Sequence, residues 1–286
     1  LASEPIFPPE RVTIVGVLNL TPDSFSDGGR FLGEGGAVAV EAALRSARAL
    51  ASAGAHVIDV GGESTRPGAE PVAVEEEIAR TRDVVTALVR ELDLPVSIDT
   101  RSAAVAREAC AAGARVVNDV SGLRSDPELA EVAARAGATL VLGHMRGTPA
   151  TMQRAPHYDD ALREVASELE AAVAQARRAG VPRERLAVDP GLGFGKRLAD
   201  NLELLAHVGW LRERMALPVL VGPSRKSFLG ALTGDPVESR DAATAAACAV
   251  AAFAGADGVR VHEPAGARRA VLVGRALRDA RRKELS

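Results

Sequence analysis

Three short segments end in residues able to hold a flat nitrogen heterocycle. Ser97-Ile98-Asp99, Val116-Val117-Asn118 and Ala187-Val188-Asp189 each run from apolar sequence into a carboxylate or an amide. Two carboxylates and one amide offer acceptors for several N–H donors, and the amide adds donors of its own. Lys226, in Ser224-Arg225-Lys226-Ser227, supplies an ammonium that can meet a carbonyl. Together they complement a ring with an amidine-like edge, such as a pterin or a guanine. Strand-end Asp and Asn also cap helices. Capping explains any one of the three about as well, but the three together favour a ligand.

A second set is cationic: Arg66 in a Gly/Pro-bounded loop, and Arg260 with His262 after a late apolar run. Arginine forks and a histidine near helix starts suit a phosphate or diphosphate. Asn19 is a neutral oxygen ligand that Mg²⁺ accepts when phosphate oxygens and waters complete its shell. In Asp189-Pro190-Gly191-Leu192-Gly193-Phe194-Gly195-Lys196 the glycines allow close approach to a ligand, and Phe194 can supply an aromatic wall. On spacing alone, an ordinary strand–helix connection fits that segment equally well. The chain has only three lysines, Lys196, Lys226 and Lys283, so a lysine kept in a glycine-flanked turn points to a need for a compact ammonium. No Gly-x-Ser-x-Gly elbow, Cys/His pairing or His-Glu-x-x-His occurs. A site with ring acceptors and an anion clamp but no nucleophile suggests transfer between two bound substrates.

The elements that must carry these residues follow a repeat. Ala-Gly-Ala recurs at 53–55, 112–114, 136–138 and 254–256. Each closes an Ala-rich helical pattern, its glycine the expected left-handed cap, and precedes a short Val/Leu/Ile run. Five residues beyond these glycines lie Asp59, Asn118, Leu142 and Arg260, in what reads as a shared phase. Eight strands are expected near 12–18, 57–60, 96–99, 116–118, 139–143, 186–189, 219–222 and 258–261. Helices are expected over 37–53, 74–92, 160–179, 202–215 and 265–282. Near-continuous apolar strands alternating with helices mean a parallel sheet covered on both faces. Eight units in one domain spanning 1–286 predict an α/β fold, a single (β/α)8 TIM barrel with long loops after strands 1 and 2. A doubly wound sheet is the alternative, without a Gly-x-Gly-x-x-Gly after the first strand to support it. The polar residues then crowd the carboxyl ends of the strands, where such barrels do chemistry.

Composition narrows the class further. A net charge of −3, with arginines interleaved among acids, leaves no footprint for nucleic acid. No run is long enough for a membrane span and no signal-peptide pattern is visible. The two cysteines, Cys110 and Cys248, have no metal-site spacing, which suits a reducing cytoplasm.

Taken together, Leu18-Asn19-x-Thr21-Pro22-Asp23-Ser24-Phe25-Ser26-Asp27-Gly28-Gly29, Gly62-Glu63-Ser64-Thr65-Arg66-Pro67-Gly68, Ser97-Ile98-Asp99-Thr100, Asn118-Asp119-Val120, His144-Met145, Asp189-Pro190-Gly191, Ser224-Arg225-Lys226-Ser227 and Arg260-Val261-His262 resemble the bacterial dihydropteroate synthases. The resemblance runs from the first strand to the last. It implies condensation of p-aminobenzoate with 6-hydroxymethyl-7,8-dihydropterin diphosphate, with Mg²⁺, along an SN1-like path in a homodimer. By matched position Asp99, Asn118, Asp189 and Lys226 would hold the pterin. Asn19, Arg66, Arg260 and His262 would hold the diphosphate, Asn19 through the metal. Thr65, Pro67, Phe25, Phe194 and Ser227 would surround p-aminobenzoate, where sulfonamides would compete. Lys226, Arg260 and Asp99 would carry the catalytic work. Val15 and Leu192 depart from the family, which often has Met and Phe there. Pterin-dependent methyltransferases share the strand-end Asp and Asn but not the full set, and a non-catalytic pterin-binding paralogue is the other alternative.

Overall fold

The computed structural model describes residues 4–20, 40–66 and 68–283. Its strands are β1 (Thr13–Asn19), β2 (Val57–Gly61), β3 (Val96–Asp99), β4 (Val116–Asp119), β5 (Thr139–Gly143), β6 (Leu186–Asp189), β7 (Leu220–Val221) and β8 (Gly258–Val261). The helices are α1 (Val40–Ser52), α2 (Val74–Glu91), α3 (Ala103–Ala111), α4 (Leu129–Ala136), α5 (Ala161–Arg178), α6 (Leu198–Ala206), α7 (Val208–Met215), α8 (Ser227–Thr233), α9 (Asp241–Ala254) and α10 (Pro264–Lys283). The strands are parallel in the order β6-β5-β4-β3-β2-β1-β8-β7. A parallel bridge between Val188 and Val219 brings β6 to β7 and all but closes the ring. Sequence neighbours are therefore spatial neighbours all the way round, a TIM-type barrel and not a doubly wound sheet.

Strand alternation explains both cores. Outward residues such as Ile58, Ile98, Val117, Leu140 and Val188 pack with Leu44, Val84, Leu88 and Leu169 of the surrounding helices. Each such fully buried Leu, Ile or Val contributes roughly 1.5–3 kcal/mol. Inward residues Val15, Val57, Val116, Val141, Ala187 and Leu220 fill the lower barrel, with Ile6 and Phe7 packed beneath. Thr13 Oγ1 ties that plug by donating to the Ile6 carbonyl at 2.8 Å. Two residues further along, the same inward phase reaches Val17, Asp59, Asn118, Asp189 and Gly222. The barrel interior thus changes from apolar to charged within a single step along the strands.

The glycine caps adopt the expected left-handed backbone, with φ of +102° at Gly54, +105° at Gly113, +62° at Gly137 and +112° at Gly255. The shared phase fails at one of them. β2, β4 and β8 begin three residues after their glycine, whereas β5 begins two after Gly137. That shorter link reverses the face: Leu142 joins the outer core, while Asp59, Asn118 and Arg260 point inward. The helix expected over 202–215 is also corrected. It is two helices, α6 and α7, broken at His207 (φ −109°, ψ 25°), whose ring Nδ1 donates to the Glu203 carbonyl at 2.9 Å. The break sets Gly209 against Ala254, where a Cβ would lie 2.5 Å from the carbonyl oxygen.

Candidate active site

Barrel register lines up the first group. Asn19 pairs with Gly61, Gly61 with Asp99, and Asp99 with Asn118, so three polar side chains share one row across four strands. Gly61 leaves that row open: a Cβ there would lie 3.3 Å from Asn19 Oδ1 and 3.9 Å from Asp99 Oδ2. Around the barrel, Asp189 ends β6 beside Gly222, whose absent Cβ would sit 3.7 Å from Asp189 Oδ2. Lys226 and His262 follow β7 and β8. Val17, Asn118, Asp189, Phe194, Lys226, Arg260 and His262 line one cleft at the carboxyl ends of the strands.

The arginine expected to belong to a separate anion clamp lies at the centre of this group. Arg260 Nε donates to Asp59 Oδ2 and Nη2 to Asp99 Oδ2, both at 2.6 Å. Asn118 Nδ2 donates to the same Asp59 oxygen at 3.3 Å. Burial works against the Arg260 charge, but Asp99 and Asp59 outweigh it and hold the guanidinium protonated. Burial pushes the Asp99 carboxyl up, Arg260 counters this, and Asp59 and Asp119 add to the rise. Oδ1 of both Asp59 and Asp99 is buried without a hydrogen-bond partner among the described residues. Unmatched buried acceptors are costly, and those of a mouth carboxylate suit incoming N–H donors.

Asp59 is the functional-site residue that sequence reasoning missed. Counting from Gly54 reached it as a mark of strand phase. The signal available was a carboxylate within an otherwise apolar strand, in the phase that faces the barrel interior; it is 0% exposed.

Asp189 Oδ1 accepts from Gly191 N at 2.7 Å, which orients the carboxylate. Burial raises its pKa, opposed by that bond and by Lys226. Gly191 is irreplaceable on steric grounds: at φ +67°, a Cβ would lie 1.8 Å from the His144 carbonyl oxygen. The Lys226 ammonium sits 3.5 Å from the centre of the Phe194 ring, a cation–π arrangement. Burial lowers its pKa to about 8, against the pull of Asp189. His262 is pushed down to about 3 by burial, then by Arg260, Arg225 and Arg66. Its main-chain N–H donates to Ser224 Oγ at 3.2 Å, and the same oxygen lies 2.9 Å from Nδ1.

The remaining expected residues are placed less tightly. Arg66 is exposed in the loop after β2, near enough for its charge to be felt at His262. Thr65 is half-buried in that loop, and Ser227 is exposed at the start of α8 beside Lys226. Phe25 and Pro67 lie outside the described residues. The loop after β2 is anchored at its base, where Arg80 donates to the Gly62 carbonyl at 2.9 Å and Arg101 Nε to Glu63 Oε2 at 3.1 Å. Among the described residues no cluster of three or more His, Cys, Asp or Glu could cage a metal.

An eight-stranded barrel with ring acceptors and cations gathered at its carboxyl end defines a class, the barrel enzymes that bind a polar heterocycle beside an anion. Comparison with known proteins narrows it. Residues 15–262 match the family described as pterin binding enzyme. A dihydropteroate synthase of Synechocystis is 46% identical over 255 residues, covering 89% of this chain and 86% of that one. The structure of the Yersinia pestis dihydropteroate synthase with a sulfonamide drug superposes with a TM-score of 0.88 at 41% identity, covering 96% of each chain. That of Xanthomonas albilineans with 4-aminobenzoic acid gives 0.85 at 45% identity, covering 94% of this chain and 93% of the other. The chain belongs to the dihydropteroate synthases, transferases of folate synthesis within the pterin-binding enzymes.

Proposed function

We propose that the cleft binds 6-hydroxymethyl-7,8-dihydropterin diphosphate and p-aminobenzoate and joins them as 7,8-dihydropteroate, releasing diphosphate. The observation that carries this reading is the meeting of Asp99, Asn118, Asp189 and Lys226 in one mouth with Arg260 among them. Asp189, with Asn118 and Asp99, takes the N–H groups of the pterin, and Lys226 donates to its carbonyl. Arg260, Arg66 and His262 hold the diphosphate. Phe194, Thr65, Pro67, Phe25 and Ser227 surround p-aminobenzoate, and a sulfonamide competes there.

Asn19, whose Oδ1 borders the space left open by Gly61, would hold Mg²⁺ as a neutral oxygen ligand. When bound, the ion supplies neutralisation of the leaving diphosphate. Arg260 and Arg66 stabilise the charge that develops as the exocyclic C–O bond breaks. The electron-rich dihydropterin tolerates the positive charge left on its exocyclic carbon, in an SN1-like path. The aryl amine then attacks that carbon and loses a proton. The described part of the loop after β2, which carries Thr65 and Arg66, would help exclude water from the cleft.

A homodimer through α9 and α10 fits the same reading: Val250 is 48%, Leu272 59% and Leu277 57% exposed. Cytoplasmic placement is likewise proposed; among the described residues no helix is long and apolar enough to cross a membrane. Diphosphate release measured with and without p-aminobenzoate tests the function. Release that depends on p-aminobenzoate is expected. No release would indicate a non-catalytic paralogue, and methyl transfer to a corrinoid protein a methyltransferase.

A further inference from the structure

Lys196 has no part in the chemistry above, yet it is 4% exposed in a chain that otherwise relies on arginine. Its ammonium has three acceptors: His144 Nδ1 at 3.0 Å, the His144 carbonyl at 3.3 Å and the Phe194 carbonyl at 3.0 Å. Three N–H groups meet three partners, a geometry that suits a compact ammonium and not a planar guanidinium. Because Nζ donates, Nδ1 of His144 accepts and Nε2 carries the proton, directed at Glu168 Oε2 at 2.9 Å. Glu168 is held in turn by Arg146 Nε at 2.9 Å and by Arg124.

This chain of contacts ends on the loop between β6 and α6. Gln153 Nε2 donates to the Gly193 carbonyl at 2.8 Å, and Gly193 N donates to Asn201 Oδ1 at 2.6 Å. Lys196 holds the next carbonyl, that of Phe194, whose ring packs on Lys226. Space is tight: a Cβ on Gly193 would lie 2.6 Å from Lys226 Cδ. A shift of the Phe194 backbone therefore moves the aromatic wall relative to Lys226.

We propose that Lys196 is a positioning residue which, by bridging His144 to the Phe194 carbonyl, fixes the Phe194 ring over Lys226 and so shapes the p-aminobenzoate side of the cleft. The inference rests on the reading of Phe194 as a wall of that subsite. Burial lowers the Lys196 pKa to about 7, so the clamp loosens as its proton leaves.

The test compares Lys196→Met, Phe194→Ala and the double variant of the full chain. Steady-state kinetics give KM for p-aminobenzoate and kcat, and calorimetry gives the affinity for a pterin analogue. Lys196→Met is expected to raise KM for p-aminobenzoate about ten-fold, to leave pterin affinity within about two-fold, and to add nothing in the Phe194→Ala background. Additive effects, or equal losses for both ligands, would overturn the proposal. A crystal structure of Lys196→Met with the Phe194 ring still on Lys226 would overturn it as well. A displaced ring together with a Phe194→Ala enzyme of unchanged KM would keep the positioning role and refute only the wall reading. Should Lys196→Met not fold, His144→Asn, which retains an acceptor for Nζ, is expected to keep KM, and His144→Leu to raise it. Identical behaviour of those two would count against the clamp.

Discussion

Arg260 joins what the residue types alone separate into two sets. Its guanidinium bonds Asp59 below and Asp99 beside it, so the ring acceptors and the anion site share one charge network. The proposed division of labour can still be tested, because Asp189 has no direct bond to Arg260 among those described. Asp189→Ala is expected to abolish pterin binding, and Arg260→Ala chiefly to weaken diphosphate binding; separate titrations check this, and equal losses for both ligands would refute it. Lys226 gives a pH dependence. Its pKa of about 8 means that the free enzyme loses the donating proton as pH rises through 8, well below the ordinary lysine value. Pterin affinity is expected to fall about ten-fold per pH unit above that point, with proton uptake on binding. Calorimetry in buffers of different ionisation heat measures both.

At the scale of elements, the loop after β2 rests on Glu77 of α2. This side chain is 4% exposed, and its Oε1 has no partner among the described residues. A Cβ on Gly62 would lie 2.9 Å from Glu77 Cγ, so the loop base is packed directly on it. Burial raises its pKa to about 7, opposed by a bond with Thr100. The folded-state pKa exceeds the unfolded one, so this group costs stability as pH rises from about 4.5 to about 7, and the cost is constant above that. Glu77→Gln keeps the shape without the charge. Its stability advantage over the wild type is expected to grow by about 1.4 kcal/mol per pH unit across that window. Denaturant melts at pH 5, 6, 7 and 8 follow it; an advantage independent of pH would remove the account.

The whole molecule packs α9 against α10 and leaves Val250 of α9 and Leu272, Val273 and Leu277 of α10 exposed. Because Leu272 and Leu277 are exposed in the single chain, charging them leaves the fold intact. Leu272→Glu with Leu277→Glu is expected to weaken the proposed dimer at least about a hundred-fold, yielding monomers in sedimentation velocity with an unchanged far-UV circular dichroism spectrum and a lower melting temperature. Monomeric behaviour of the wild-type chain at micromolar concentration would refute the dimer itself.

The strands, the glycine caps and the rim that bears the polar residues were legible in the sequence. Short apolar runs, αL glycines and strand-end Asp, Asn and His are local features, and local sterics and alternation suffice to read them. The break at His207 was not legible, whereas the two-residue link before β5 is already contained in the expected strand bounds. The close backing of Gly209 on Ala254, which accompanies that break, depends on a neighbour distant in sequence. Asp59 and Lys196 belong to the same kind. Each is a single polar residue whose role depends on partners brought to it by barrel closure, Arg260 lying 201 positions from Asp59 and His144 52 from Lys196. Sequence determined which groups reach the mouth of the barrel. Tertiary structure decided which of them touch, because the barrel's register and stagger, not spacing along the chain, set those distances.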